Sequence, residues 1–265
     1  YSARGLLEFL ALLIDQELLL PRNQDPYLRS HPVTRERIDT VREYLAKSRH
    51  ADAPFPPEYA IMHARMVAKL DGFLNPPGNT LARYRADDQS VPARYARAVA
   101  FYRRPDLAQA IPAIDSLITE FPQDPFFHEL KGQMLFENGR AQEAVAPYSE
   151  AVRLLPGSAL LRFELGRVLV ELNDASRLTE ALAHLEAAAR VESRNHSVWR
   201  QLGIAYGRKN QIGLASLALA ESAIIRGERR EAMLHVKRAH DNLKEGSPAW
   251  IRAEDIRRAA MKKPE

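Results

Sequence analysis

Apolar residues along this chain recur at steps of three and four, the spacing of amphipathic helices, and the pattern predicts an all-α protein with no sheet of its own. In the opening stretch Leu6, Leu7, Phe9, Leu10, Leu12, Leu13, Ile14, Leu18, Leu19 and Leu20 cover far more than one stripe. That coverage predicts a helix over 2–20 buried on several sides and ended by Pro21. Its neighbours are either the segments that follow or a domain preceding it. Ile38, Val41, Tyr44 and Leu45 mark a second helix that starts at Arg37 and reaches about residue 49. Pro54, Pro56 and Pro57 fall in a stretch without periodicity, 51–57, which reads as a turn or short linker. From Glu58 the residues Tyr59, Met62, Met66, Val67, Leu70 and Leu74 share a face, and Asn75-Pro76-Pro77-Gly78 ends that helix. Residues 80–84 add a short turn.

Beyond Val91 the helices come in pairs: 91–103 with 106–120, 125–138 with 141–154, 158–172 with 178–191, and 196–208 with 211–225. Gly227, Ala232, Val236 and Ala239 then belong to one more helix, and 248–261, with Trp250, Ile251 and Ile256 on one side, closes the series as a cap.

The stretch 124–156 sets the register of these pairs. Gly132, Leu135, Gly139, Ala144, Tyr148, Ala151 and Pro156 recur about 34 residues earlier as Ala98, Phe101, Ala110, Ile114 and Pro122. The same step forward reaches Leu165-Gly166 and Leu169. The second helix of that unit then arrives late, at Ala181, Leu185 and Ala188, because 173–177 lengthens the turn. One unit further on stand Trp199, Leu202, Gly203, Tyr206 and Ala215. Small residues where two helices touch, bulky ones between them and a proline at the close resemble the tetratricopeptide repeat. After 225 the register slips by half a unit, so that the helix 211–225 precedes another second-type helix.

The resemblance implies a helical superhelix whose concave groove, lined by the first helix of each pair, takes an extended polypeptide. The groove-facing positions in this register are Tyr95, Tyr102 and Arg103; Glu129, Gln133, Phe136 and Glu137; Phe163, Arg167 and Glu171; and Arg200, Ile204 and Arg208.

A second resemblance rests on 25–38, Asp-Pro-Tyr-Leu-Arg-Ser-His-Pro-Val-Thr-Arg-Glu-Arg-Ile. Physically it is a loop entering a helix, with Pro32 holding His31 extended and Thr34 as N-cap. The wording S-H-P-x-T-x-x-R-I after a leucine-rich helix resembles the end of the catalytic domain of M48-family zinc metallopeptidases. With repeats downstream the order looks like that of BepA-type periplasmic members. The resemblance implies a remnant of a peptidase domain over 1–50, connecting helices over 51–90 and repeats with a capping helix over 91–265. It also implies zinc in a parent protein, with His31 near the metal. The parent would lie in the periplasm of a Gram-negative bacterium and recruit polypeptide substrates or envelope-assembly partners to its own catalytic domain.

The H-E-x-x-H helix that supplies zinc ligands and base in that family has no counterpart here. His128-Glu129-Leu130-Lys131 begins correctly but is followed by Gly132. The expectation is therefore that this chain alone holds no cofactor and hydrolyses nothing. The other reading is a stand-alone repeat adaptor without any protease. His63 has no second ligand at helical distance and reads as a surface histidine.

Composition narrows the remainder. Hydrophobic residues make up 46% and charged ones 27%, ordinary usage for a globular protein. The 38 basic and 34 acidic residues are interleaved rather than blocked, which argues against a nucleic-acid stripe. Without cysteine the chain has no disulfide, thiolate metal site or cysteine nucleophile. Glu8, Asp15, Gln16 and Glu17 interrupt the longest apolar run, so a membrane span is not expected. Exposed on one side, the same helix would favour self-association into a homodimer. No phosphate-cradling glycine loop points to a nucleotide.

Overall fold

A computed structural model describes residues 2–17, 35–54 and 56–262, with the backbone alone over 14–17. Among the described residues there are fourteen α-helices and no strand. They are α1 (Arg4–Glu17), α2 (Arg35–Lys47), α3 (Pro57–Leu74), α4 (Pro77–Arg83), α5 (Val91–Arg103), α6 (Leu107–Glu120), α7 (Pro125–Glu137), α8 (Ala141–Leu154), α9 (Ala159–Glu171), α10 (Leu178–Val191), α11 (His196–Arg208), α12 (Ile212–Ile225), α13 (Arg229–His240) and α14 (Pro248–Met261). The S-H-P stretch and His31 lie outside the described residues.

The chain divides into two compact units, Tyr1–Val67 and Ala68–Glu265. This division falls within α3. The reason is that Ala68 and Gly72 are buried, with a Cβ on Gly72 falling 2.7 Å from the Val99 side chain, so the end of α3 belongs with α5. The short turn expected over 80–84 is part of the helix α4, whose Thr80 hydroxyl donates to the Asp71 carbonyl at 3.0 Å.

In the first unit α1 packs on α2, where Leu10 and Ile38 are buried. The sequence predicts an opening helix buried on several sides, and the described part of it is not: Leu6, Phe9 and Leu12 are exposed, because the described neighbours cover only the Leu10 side. The Arg4–Asp52 ion pair at 2.6 Å is exposed at both ends and stabilises this unit by well under about 1 kcal/mol.

In the second unit the helices alternate along the chain and each packs on the next. Their starts are cut by short polar side chains that take an otherwise unbonded amide. Ser90 accepts from the Ala93 N–H at 3.4 Å, Asp106 from Gln109 at 3.2 Å, Asp124 from Phe126 at 3.0 Å and Asn195 from Ser197 at 3.1 Å. After α7, Gly139 turns the chain with φ of 76°, a conformation glycine adopts at no steric cost. The late arrival of α10 is a 3-10 turn, Ala175–Arg177, capped by Asp174.

In the last three of the four pairs the helices meet at a glycine, and in the first the corresponding position is the buried Ala98. A Cβ at Gly132 would lie 2.7 Å from the Tyr148 ring, one at Gly166 2.6 Å from Leu185, and one at Gly203 2.7 Å from Leu219. These are the small and bulky positions that recur in the sequence, and here they are one another's contact. The core around them includes Leu135, Tyr148, Leu161, Leu165, Leu169, Leu185 and Leu202.

The half-unit slip has a physical form in α12. Gly213, Ala215, Ser216, Ala218, Ala220, Ser222 and Ala223 are buried around most of its circumference, because it packs on α11, α13 and α14 at once. Small side chains on all sides permit that. The closing helix α14 buries Ala253 and Ile256, and its Arg252 donates twice to the buried Glu221 carboxylate, once at 2.9 Å.

Candidate binding groove

The first helices of successive pairs, α5, α7, α9 and α11, carry the thirteen positions that the register assigns to the groove, and packing sorts them into floor and surface. Tyr95 is not on the surface. It is 2% exposed, with its ring edge-on to Phe127 at 5.2 Å between centroids, and so is part of the α5–α7 core. Tyr102 and Glu129 are also buried, at 9% and 8%. The Tyr102 hydroxyl donates to Glu137, and burial followed by that carboxylate pushes its ionisation well above the ordinary phenol range. Glu129 pairs with Lys69 of α3 at 2.9 Å. These three side chains shape the floor.

Above the floor, Gln133, Phe136, Phe163, Arg167 and Ile204 are half-buried, and Arg103, Glu137, Glu171, Arg200 and Arg208 are exposed. The Gln133 amide donates to Glu137 at 2.9 Å. Arg103 donates to the Asn75 carbonyl at 3.0 Å and Arg208 to the Val170 carbonyl. The structure draws the centre of the row together around Arg167. Its guanidinium stands 4.7 Å from the Phe136 ring centroid and 5.9 Å from that of Phe163, so one cation joins aromatic rings of two consecutive units. Each such contact is worth about 0.5 to 2 kcal/mol depending on solvent.

Arg167 also pairs with Glu164 at 2.6 Å. Burial raises the Glu164 pKa above the ordinary carboxyl value, with Arg167 opposing and the nearby Glu129 and Glu137 reinforcing the shift. Glu164 stands one turn before Arg167 in the sequence, a spacing that could have flagged it. Lys69, which lies far outside the repeats, gives no such signal.

Past Phe163 and Arg167 the face opens into a cleft of about 510 Å³ that includes His196, Arg200, Arg226 and Glu231. The last two went unassigned in the sequence because they follow the slip in register. The remaining lining residues, Ser197 and Gln201, add polar side chains from α11. The described residues include no group of three or more His, Cys, Asp or Glu side chains able to hold a metal. No described helix is long and apolar enough to cross a membrane.

The family pattern described as Tetratricopeptide repeat matches residues 79–125 and 95–159. No curated protein matches the chain in sequence. Among solved structures, YrrB is described as a tetratricopeptide-repeat protein with an unusual peptide-binding site. It is 19% identical over 66% of this chain and 90% of its own, with a TM-score of 0.52. PilF of Pseudomonas aeruginosa is 19% identical over 73% of this chain and 97% of its own, at 0.48. MamA from Desulfovibrio magneticus RS-1 is 18% identical over 70% and 99%, also at 0.48. The chain thus carries tetratricopeptide repeats, matched over residues 79–159, within an all-helical fold similar to that of the repeat protein YrrB.

Proposed function

We propose that this protein is a protein-interaction module whose groove, running over α7, α9 and α11, holds an extended polypeptide. The observation that carries the reading is the continuous row Gln133, Phe136, Arg167 and Phe163. Half-buried aromatic rings are bridged by a cation there, next to side chains that can bond backbone amides. Such a surface supplies anchors at low ordering cost, because the side chains are already held by one another. Micromolar affinity is the expectation, about 8 kcal/mol.

The test is selection from a displayed peptide library on the immobilised protein, followed by calorimetry with the selected sequences. Phe136→Ala with Phe163→Ala should abolish binding while helicity is unchanged. Failure of the library to yield any binder sensitive to this pair would sink the reading.

The S-H-P stretch supports a finer proposal, that the groove recruits its polypeptides to an M48-type zinc metallopeptidase in a bacterial periplasm, with His31 facing the metal there. A stand-alone adaptor would use the same groove. The two part on one observation: an H-E-x-x-H helix encoded next to this chain is required by the first and foreign to the second.

A further inference from the structure

We propose that the cleft between α9, α11 and α13 receives the carboxylate side chain of an aspartate or glutamate within the bound polypeptide. The proposal rests on the groove reading above and names the partner's chemistry. The guanidinium groups of Arg167, Arg200 and Arg226 and the imidazole of His196 line the cleft, against the single carboxylate of Glu231. Nearby acids offset part of this. Glu164 holds Arg167, and Arg226 donates to Glu228 at 2.8 Å and lies 3.3 Å from Glu231.

Arg200 is different, for it is exposed and makes no hydrogen bond or ion pair with a described residue. The Glu164 pairing also leaves the Arg167 guanidinium incompletely satisfied, for its buried Nε makes no hydrogen bond among the described residues. Its guanidinium is held by the two aromatic rings, so a carboxylate arriving there meets a cation that needs no ordering. Guanidinium–carboxylate bonds are short, directional and stronger than neutral ones, and they gain further in a half-buried cleft. Ser197 and Gln201 provide additional donors beside Arg200.

A side chain is the occupant because the cleft adjoins the aromatic row rather than standing apart from it. Phe163 and Arg167 belong to both, so a chain lying along Phe136 and Phe163 brings its next side chains over Arg200.

The test uses peptides displayed with carrier sequence on both sides, so that no free terminus reaches the cleft. Selected sequences are then synthesised with both ends blocked. Enrichment of aspartate and glutamate is expected, and changing the selected acid to its amide should weaken binding about tenfold. Arg200→Gln should weaken the acidic peptide about as much and leave the amide peptide unchanged, the signature of direct coupling in a double-mutant cycle. Arg200→Glu should turn selection towards basic peptides.

Enriched peptides that depend on Phe136 yet ignore both the acid and Arg200 would overturn this inference and leave the groove reading standing. Binding that appears only with a free C-terminal carboxylate would overturn it as well. No enriched peptide at all would overturn both.

Discussion

The two units of this protein use similar helices to opposite effect. In the second unit, large side chains such as Phe127, Tyr148, Leu165 and Leu185 are fully or almost fully buried, Tyr148 and Leu185 against Gly132 and Gly166 of the preceding helices. In the first, among the described residues, Leu10 and Ile38 are buried while Leu6, Phe9, Leu12, Tyr44, Ile61 and Met62 remain exposed. The difference teaches that an amphipathic pattern specifies a helix but not what covers it. A repeat supplies its own cover, because every unit presents to the next the face that the previous one presented to it.

The largest effect that sharpens this contrast is a cavity in the stack. Leu185→Ala should lower the unfolding free energy by about 2 to 5 kcal/mol in urea denaturation. Leu12→Ala, at a site 64% exposed, should change it by less than about 0.5 kcal/mol. Equal costs would erase the distinction between the units.

Next comes the contact at which paired helices meet. Gly132→Ala places a methyl group 2.7 Å from the Tyr148 ring and should cost about 1 to 3 kcal/mol. Adding Tyr148→Leu should recover part of that loss, and a purely additive pair would mean that the two residues are not each other's contact.

The cap gives a third expectation. Arg252→Ala leaves the Glu221 carboxylate, whose side chain is 3% exposed, without its paired donors and should cost about 1 to 3 kcal/mol. The readout is the melting temperature beside that of Arg258→Ala, which removes one long contact to Glu254 at 3.3 Å and should be nearly neutral.

The smallest effect is a pH dependence. Glu164 has its folded pKa raised by burial, so the folded state binds its proton more tightly than the unfolded one. Its stabilising contribution is full below the ordinary glutamate value and is lost as pH climbs through the raised one. The melting temperature of the parent protein should therefore fall relative to Glu164→Gln across that window. A constant difference would contradict the burial assigned to this carboxylate.

Much of the stack was legible because packing dictates spacing. The helix 91–103 and the pairing of Gly132 with Tyr148 follow from a period that repeats, and polar caps such as Asp106 stand where helices must start. Residues whose role depends on a distant partner were not legible. Tyr95 shares the first helix with true surface positions, yet the ring of Phe127 in the next unit draws it into the core. Lys69 reaches Glu129 from outside the repeats. Pro112 and Pro147 stand inside α6 and α8, and the unbroken helices that the spacing gives over 106–120 and 141–154 run through both.

Where a ligand lies on the stack decides between a groove of first helices and a surface of second helices. A photo-crosslinking amino acid placed at Gln133 on α7, and separately at the exposed Arg153 on α8, would be irradiated with a library-selected peptide bound. The account predicts efficient crosslinking from position 133, lost on Phe136→Ala with Phe163→Ala, and none from position 153. Crosslinking from 153 and not from 133 would put the binding surface on the second helices and contradict the groove.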